Sequence, residues 1–380
     1  MKNNIPTPQG LPILGELSTA DFLRDYWQKK PLLMRQAIPN FTGFLDRQQI
    51  ISLASEEFVQ SRLVTQQREQ WQLHHGPFRP SQLNRLGKRK WTVLVQGINQ
   101  RFTAGTELLK LFNFIPHARL DDLMVSFATQ GGGVGPHFDS YDVFLLQGSG
   151  HRCWQISAQK DHTLVKGAPL KILQHFIPEQ EWVLSPGDML YLPPNYAHHG
   201  VAEDDCMTYS IGFRAPTYQE LAEQFLIYMQ DKINLAGMLT DPDLQPQIHS
   251  SEISIAMLEK IENIIRQIQW GKDDITHFVG SYLSEPNSDI FFEPTIRPLS
   301  RQRFAQHVQK KGLVLDLKSK MLCHDNIVFI NGIAHPVCQA NYEILRKLAD
   351  ERVLISGIEC PAEAMELLYQ SYLNGYVQPS

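Results

Sequence analysis

The chain has 380 residues, 43% hydrophobic and 20% charged, the composition of an ordinary soluble globular protein with room for two or three domains. Those figures exclude disorder, collagen and coiled coil, and the lack of any uninterrupted apolar run of about eighteen residues excludes a membrane helix. A net charge of −5 argues against a sequence-blind nucleic-acid binder, and five scattered cysteines (Cys153, Cys206, Cys323, Cys338, Cys360) with no CxxC pair argue against a disulfide framework or a cysteine zinc site.

The N-terminal MKNNIPTPQGLPILGELS carries one lysine and no apolar leader core, so with free thiols the expected compartment is the cytoplasm. STADFLRDYWQKK, capped at Ser18 or Thr19, reads as a helix that ends before Pro31. Residues 50–60 and 105–111 read as short helices. Between 122 and 215 the pattern turns to short β-rich runs, LMVSFAT, DVFLLQG, HRCWQIS, DMLYLP and CMTYSIGFR, separated by the turn signals GGGVGP, GSG, SPGD and PPN. Many short strands at close intervals predict a sandwich or barrel.

Helical periodicity returns in 217–237 and 251–270, joined across Asp241-Pro242-Asp243. The rich apolar faces of these two stretches suit an association surface and a cover for the barrel equally. The last hundred residues combine helices (300–311, 338–352, 362–375) with a β-pair over 312–336, a winged-helix-like pattern. Residues 276–380 hold ten Lys and Arg against eleven Asp and Glu, so DNA binding is not expected and a packing or protein-contact role is.

The chemistry concentrates in GGGVGPHFDSYDVFLLQGSGHRCWQIS (131–157) and SPGDMLYLPPNYAHHG (185–200). His137 and Asp139, at i and i+2 at the start of a strand, share one face. His198 follows the Pro-Pro-Asn turn, where a barrel brings it beside them. Two imidazoles and one carboxylate leave three positions of an octahedral metal open, which suits Fe(II) rather than zinc. Arg152 follows the Gly148-Ser149-Gly150 turn, which reads as a hairpin pairing its strand with the one that starts at the metal pair. A guanidinium inside a barrel needs a carboxylate partner, and a dicarboxylate co-substrate supplies one. By parity Tyr141 lines the substrate mouth and Asp142 faces away. Asp121 and Asp122 read as a solvated lead into the first barrel strand, and His74, His75 and His151 as loop residues without chemistry.

These segments, with FLRDYWQKKPLLMRQA (22–37) and YSIGFRAP (209–216), resemble the JmjC-type ribosomal oxygenases of the cupin superfamily, and the resemblance runs over most of the chain. It implies a mixed α and β fold. A double-stranded β-helix (cupin/JmjC) barrel with its helical lead-in fills 1–216, a helical dimerisation region 217–275, and a winged-helix-like domain 276–380. It also implies Fe(II) held by His137, Asp139 and His198, with His199 a bystander. 2-Oxoglutarate is gripped through its distal carboxylate by Arg152, with Thr208 nearby, and dioxygen is the second co-substrate. The implied partners are a second copy of the chain and a large-subunit ribosomal protein, the sixteenth, hydroxylated at carbon 3 of an arginine side chain. The alternatives are a histidine hydroxylase of the same family and a non-catalytic cupin-type ribosome-binding module.

Overall fold

The structure, a computed structural model, describes residues 13–67 and 70–380. The lead-in opens with α1 (Thr19–Asp25), where the Ser18 hydroxyl accepts the Asp21 N–H as N-cap and Phe22 is fully buried. β1 (Leu32–Met34) follows Pro31. α2 (Arg47–Leu53) begins with a capping box between Asp46 and Gln49. Then come β2 (Ser61–Gln67), β3 (Gln70–His75), α3 (Pro80–Asn84), β4 (Trp91–Val95) and α4 (Thr103–Lys110). His74 and His75 therefore lie in a sheet-edge strand rather than a loop.

The barrel strands are β5 (Leu120–Ala128), β6 (Asp142–Ser149), β7 (Arg152–Ser157), β8 (Gln180–Leu184), β9 (Met189–Leu192), β10 (Ala197–Ala202) and β11 (Cys206–Phe213). They form two antiparallel sheets, a large one ordered β1-β9-β6-β11-β5-β4-β2-β3 and a small one ordered β10-β7-β8. The Gly148–Gly150 turn is thus not a hairpin. β6 pairs with β9 and β11 in the large sheet, while β7 crosses to the small sheet beside β10. Asp121 and Asp122 sit inside β5, not before it.

Side-chain parity explains the layering. Phe144 and Leu146 of β6, Met189 and Tyr191 of β9, and Tyr209, Ile211 and Phe213 of β11 pack against the lead-in helices. Their neighbours Val143, Leu145, Leu190 and Leu192 face the lumen, where they meet Trp154, Ile156 and Leu184 of the small sheet. Strands covered on both faces carry no polar alternation, which is why β11 is buried throughout. Two tyrosines fasten the lead-in to the sheet. The Tyr209 hydroxyl accepts the Phe44 and Leu45 N–H groups at 2.9 and 3.0 Å. That of Tyr191 accepts the Gln28 N–H at 2.7 Å and donates to the buried Asp142 at 2.6 Å.

Beyond the barrel run α5 (Tyr218–Gln230), α6 (Ile255–Ile265) and α7 (Lys272–Ser284). The expected helices over 217–237 and 251–270 are shorter in the structure, and 231–254, which holds Asn234, Gly237 and Pro242, has no helix. α8 (Arg301–Lys311), β12 (Leu313–Leu315), β13 (Met321–His324), β14 (Ile327–Ile330), β15 (Ile333–Pro336), α9 (Gln339–Glu351), β16 (Val353–Leu354), α10 (Ala362–Leu373) and β17 (Val377–Pro379) complete the chain. In place of one β-pair over 312–336 there are two small sheets, β16-β12-β17 and β13-β14-β15, and α7 packs on the latter. The strand after α8 finds its partners in segments from after α9 and α10, pairings that local pattern does not reveal. Among the described residues no helix is long and apolar enough to cross a membrane.

The Tyr209 contact yields a stability prediction. Tyr209→Phe strands two buried amides and should cost about 1–3 kcal/mol, read as a lower urea midpoint at unchanged slope. An unshifted midpoint would mean that the lead-in is not fastened there.

Candidate active site

Residues 131–139 leave β5 and run antiparallel to β10 as an irregular companion strand. Gly131 N–H donates to Ala202 C=O at 2.7 Å, and Ala202 N–H to Gly132 C=O at 2.9 Å. Further along, His137 N–H donates to His198 C=O at 2.9 Å and His198 N–H to His137 C=O at 2.8 Å. The glycines make this approach feasible. A Cβ on Gly133 would stand 2.4 Å from the Gly200 carbonyl oxygen, and Gly135, at φ +81°, lies against Ile172 and Trp71. The expected strand start at His137 and Asp139 is in fact this single β-bridge, with Asp139 beyond it in irregular chain. His198 is inside β10.

The bridge sets the two imidazoles 4.1 Å apart, centroid to centroid. Asp139 Oδ2 lies 3.9 Å from His137 Nε2 and 3.6 Å from His198 Nε2. Ligand atoms of the three side chains all fall within 4.8 Å of one another, a constellation able to hold one metal ion. The tautomers follow from the partners. His137 Nδ1 is 2.9 Å from Gly135 C=O and His198 Nδ1 is 2.9 Å from Tyr196 C=O. A carbonyl only accepts, so each Nδ1 must carry a proton, which leaves Nε2 as the atom of each ring turned toward Asp139 and available to a metal. Burial, helped by neighbouring His137, pulls the His198 pKa down to about 4 and keeps its Nε2 lone pair free at neutral pH. His199 projects from the opposite face of β10 and meets Phe176 edge-on at 6.2 Å. It is not part of the constellation.

Arg152 stands on the lumen face of β7. The register pairs Arg152 with Ala202 and Ile156 with His198, so four residues of strand, about 13 Å, separate it from the metal ligand. An arginine side chain and a five-carbon diacid together bridge that gap. Arg152 is 5% exposed, its Nε and Nη2 have no hydrogen-bond partner, and its guanidinium lies 5.7 Å from the Trp154 ring centroid. Among the described residues no carboxylate comes within 4.0 Å of it. Thr208, on the lumen face of β11, donates to Gln147 Oε1 at 3.1 Å, and Gln147 Nε2 donates to the Ser149 and Gly150 carbonyls at 2.9 and 3.2 Å. Thr208 thus braces the turn that delivers Arg152.

Tyr141 is part-exposed at the open end of the lumen, beside Gly212, and burial with the nearby Asp139 and Asp122 raises its hydroxyl pKa well above the ordinary value. Asp122 was not singled out from the sequence as a site residue. It shares the lumen face of β5 with Met124 and Ser126, accepts the Gly97 N–H at 3.0 Å, and is pushed by burial and by Asp121 up to about 6. The signal for it in the sequence is strand parity counted from Leu120, which sets Asp122 on the face of Met124 and Ser126.

A family model described as JmjC domain matches residues 107–221, and one described as ROXA-like winged helix matches 260–378. The chain is 34% identical to the Escherichia coli (strain K12) ribosomal protein uL16 3-hydroxylase, over 83% of this chain and 85% of that protein. The chain belongs to the JmjC-domain ribosomal oxygenases. A probable ribosomal oxygenase of Haemophilus influenzae is 33% identical over 93% of both chains. The solved structure of YcfD, a ribosomal oxygenase from Escherichia coli, in complex with cobalt and 2-oxoglutarate has a TM-score of 0.80 at 29% identity, covering 96% of this chain and 98% of that one. As a ribosomal oxygenase the protein is an enzyme of the 2-oxoglutarate-dependent class, with a cupin-type sheet domain and a C-terminal winged-helix domain.

His137→Ala, Asp139→Ala and His198→Ala should each abolish divalent-metal binding, measured by anaerobic calorimetric titration, while His199→Ala should bind as the parent does. A dead His199→Ala beside a normal His198→Ala would move the ligand by one residue.

Proposed function

We propose that this ribosomal oxygenase is an Fe(II)- and 2-oxoglutarate-dependent hydroxylase of an arginine side chain in ribosomal protein uL16, acting in the cytoplasm. The observation that carries the reading is the buried Arg152 guanidinium, without a protein partner, on the same lumen wall as the HxD…H constellation. An unpaired buried cation is costly, and a dicarboxylate co-substrate removes that cost. The donor set fits iron: two imidazoles and one carboxylate would hold iron(II) through three protein donors and leave coordination positions for co-substrates. Iron(II) with 2-oxoglutarate bound supplies dioxygen activation strong enough to hydroxylate an unactivated C–H bond.

The chain's own contribution is positional. His137, Asp139 and His198 fix the metal, and their backbone partners fix the imidazole orientations. Arg152 takes the far carboxylate of the co-substrate, an acceptor that matches its fork. Trp154, Leu145 and Leu190 make the wall apolar and exclude water. At the open end Tyr141 lines the substrate path, and Asp122 supports an arginine target. Burial disfavours the charge of this carboxylate, and a guanidinium paired with it would relieve that penalty. The uL16 assignment rests on the similarity to the Escherichia coli enzyme.

The helices of 217–275 form the proposed homodimer contact. Leu226, Ile227, Ile255, Leu258 and Ile265 are all exposed on α5 and α6, apolar side chains that a second copy would cover. Leu226→Glu should convert a dimer to a monomer in sedimentation velocity at micromolar concentration. A parent chain already monomeric there would refute the contact.

Arg152→Ala should raise the Michaelis constant for 2-oxoglutarate far more than that for a uL16 peptide. Removing the charged partner costs on the order of 3–5 kcal/mol, about two to four decades. Arg152→Lys should recover little, because an ammonium lacks the planar fork. An unchanged constant for 2-oxoglutarate in Arg152→Ala would show that another residue holds that carboxylate.

A further inference from the structure

Asp139 is a ligand candidate without a strand to hold it. Its carbonyl accepts the Asn195 N–H at 2.7 Å, but the chain from Pro136 to Ser140 has no sheet pairing beyond the bridge at His137. What covers this stretch is the long connection 158–179 between β7 and β8. The connection doubles back on itself through a bridge between Leu164 and Leu173, with the Val165 N–H donating to Ile172 C=O and the Gln174 N–H to Thr163 C=O, both at 2.8 Å.

This ribbon meets the metal-bearing chain at three points. The Leu173 N–H donates to Pro136 C=O at 2.8 Å. Ile172 fills the space that a Gly135 side chain would occupy, with its Cδ1 only 2.4 Å from the position of such a Cβ. The His162 ring stacks on Phe138 at 4.0 Å with 18° between planes. Phe138 sits between His137 and Asp139 in the chain. Farther along, Phe176 of the same ribbon meets His199, the neighbour of the third ligand.

From this geometry we infer that His162 is a positioning residue for the metal site, acting through its stack on Phe138 to hold the His137–Asp139 segment in ligating conformation. The inference rests on the metal-site reading above. Three contacts on one short segment restrict its rotation, and the stack bears on the residue between the two ligands. Gly135, whose carbonyl orients His137 Nδ1, is held by the same ribbon. The His162 Nε2 is buried without a hydrogen-bond partner, so that nitrogen ties the ring to nothing. The ring face is therefore the working part, and a phenyl ring should serve as well.

The test titrates the full-length, metal-free protein with cobalt(II) under anaerobic conditions, following the visible absorption, for the parent, His162→Ala and His162→Phe. Thermal unfolding of each variant reads folding independently. His162→Ala should bind cobalt about tenfold more weakly, the lower end of the range for residues behind the ligands, with an altered visible band. His162→Phe should stay within about twofold of the parent, as preserved stacking requires. Equal affinity and an identical band in folded His162→Ala would overturn the clamp while leaving the metal site intact. His162→Phe as weak as His162→Ala would overturn the stacking role in favour of the imidazole nitrogen. A parent protein that binds no cobalt would overturn the metal site itself, and the clamp with it.

Discussion

His137 and His198 exchange both of their backbone hydrogen bonds, at 2.9 and 2.8 Å, across a pairing that involves no other residue of a regular ladder. A reciprocal antiparallel pair of this kind brings two Cα atoms to about 5.5 Å and points both side chains to the same face. It thereby makes two imidazoles adjacent without any attraction between them. Asp139, two residues on, falls on the same side. Whatever shifts this one bridge shifts two of the three ligands at once, so the glycines that let 131–135 lie close on β10 are as important to the site as the ligands.

The second constraint is electrostatic. A barrel lumen lined by Val143, Leu145, Leu190, Leu192 and Trp154 is a poor place for a cation, yet Arg152 is held there by strand geometry rather than by a counter-charge. The protein stabilises the arrangement indirectly. Thr208 fixes Gln147, Gln147 fixes the Ser149–Gly150 carbonyls, and the turn then directs β7 into the small sheet. Such pre-organisation leaves the Arg152 guanidinium without a protein partner, and the fold tolerates the cost because the two-sided core around β6 and β11 is large.

The parts of this site that a sequence reveals are those with local signatures. The spacing of His137 and Asp139, the glycine run before them and the His198 that follows a Pro-Pro-Asn turn are all short-range, and five of the seven barrel strands announce themselves by composition, while β8 and β10, the strand that holds His198, do not. Pairing is different. Gly148-Ser149-Gly150 has the composition of a hairpin turn, but the strands on either side of it belong to opposite sheets, because β11, distant in sequence, occupies the place beside β6. Asp122 was hidden because the apolar run LMVSFAT begins only at Leu123, whereas β5 starts three residues earlier at Leu120 and carries Asp122 on its lumen face. The ribbon over Phe138 was hidden because 158–179 has no periodicity, and its contacts are with residues that it does not resemble in any pattern.

The order of the large sheet has a consequence for biosynthesis. β11, the last barrel strand to be made, lies between β5 and β6, and β1 near the N-terminus pairs with β9. A nascent chain that has emerged only as far as Leu192 therefore holds strands with open inner edges and a lead-in whose anchoring Tyr209 has not yet been translated. Contacts this far apart in sequence close slowly, and open edges of apolar strands are the kind of surface that associates wrongly. Completion of the barrel waits until Phe213 has emerged, with the winged-helix domain still to be made, and until β10 and β11 are in place there is no third ligand and no closed wall. For this enzyme, metal loading belongs after folding rather than within it.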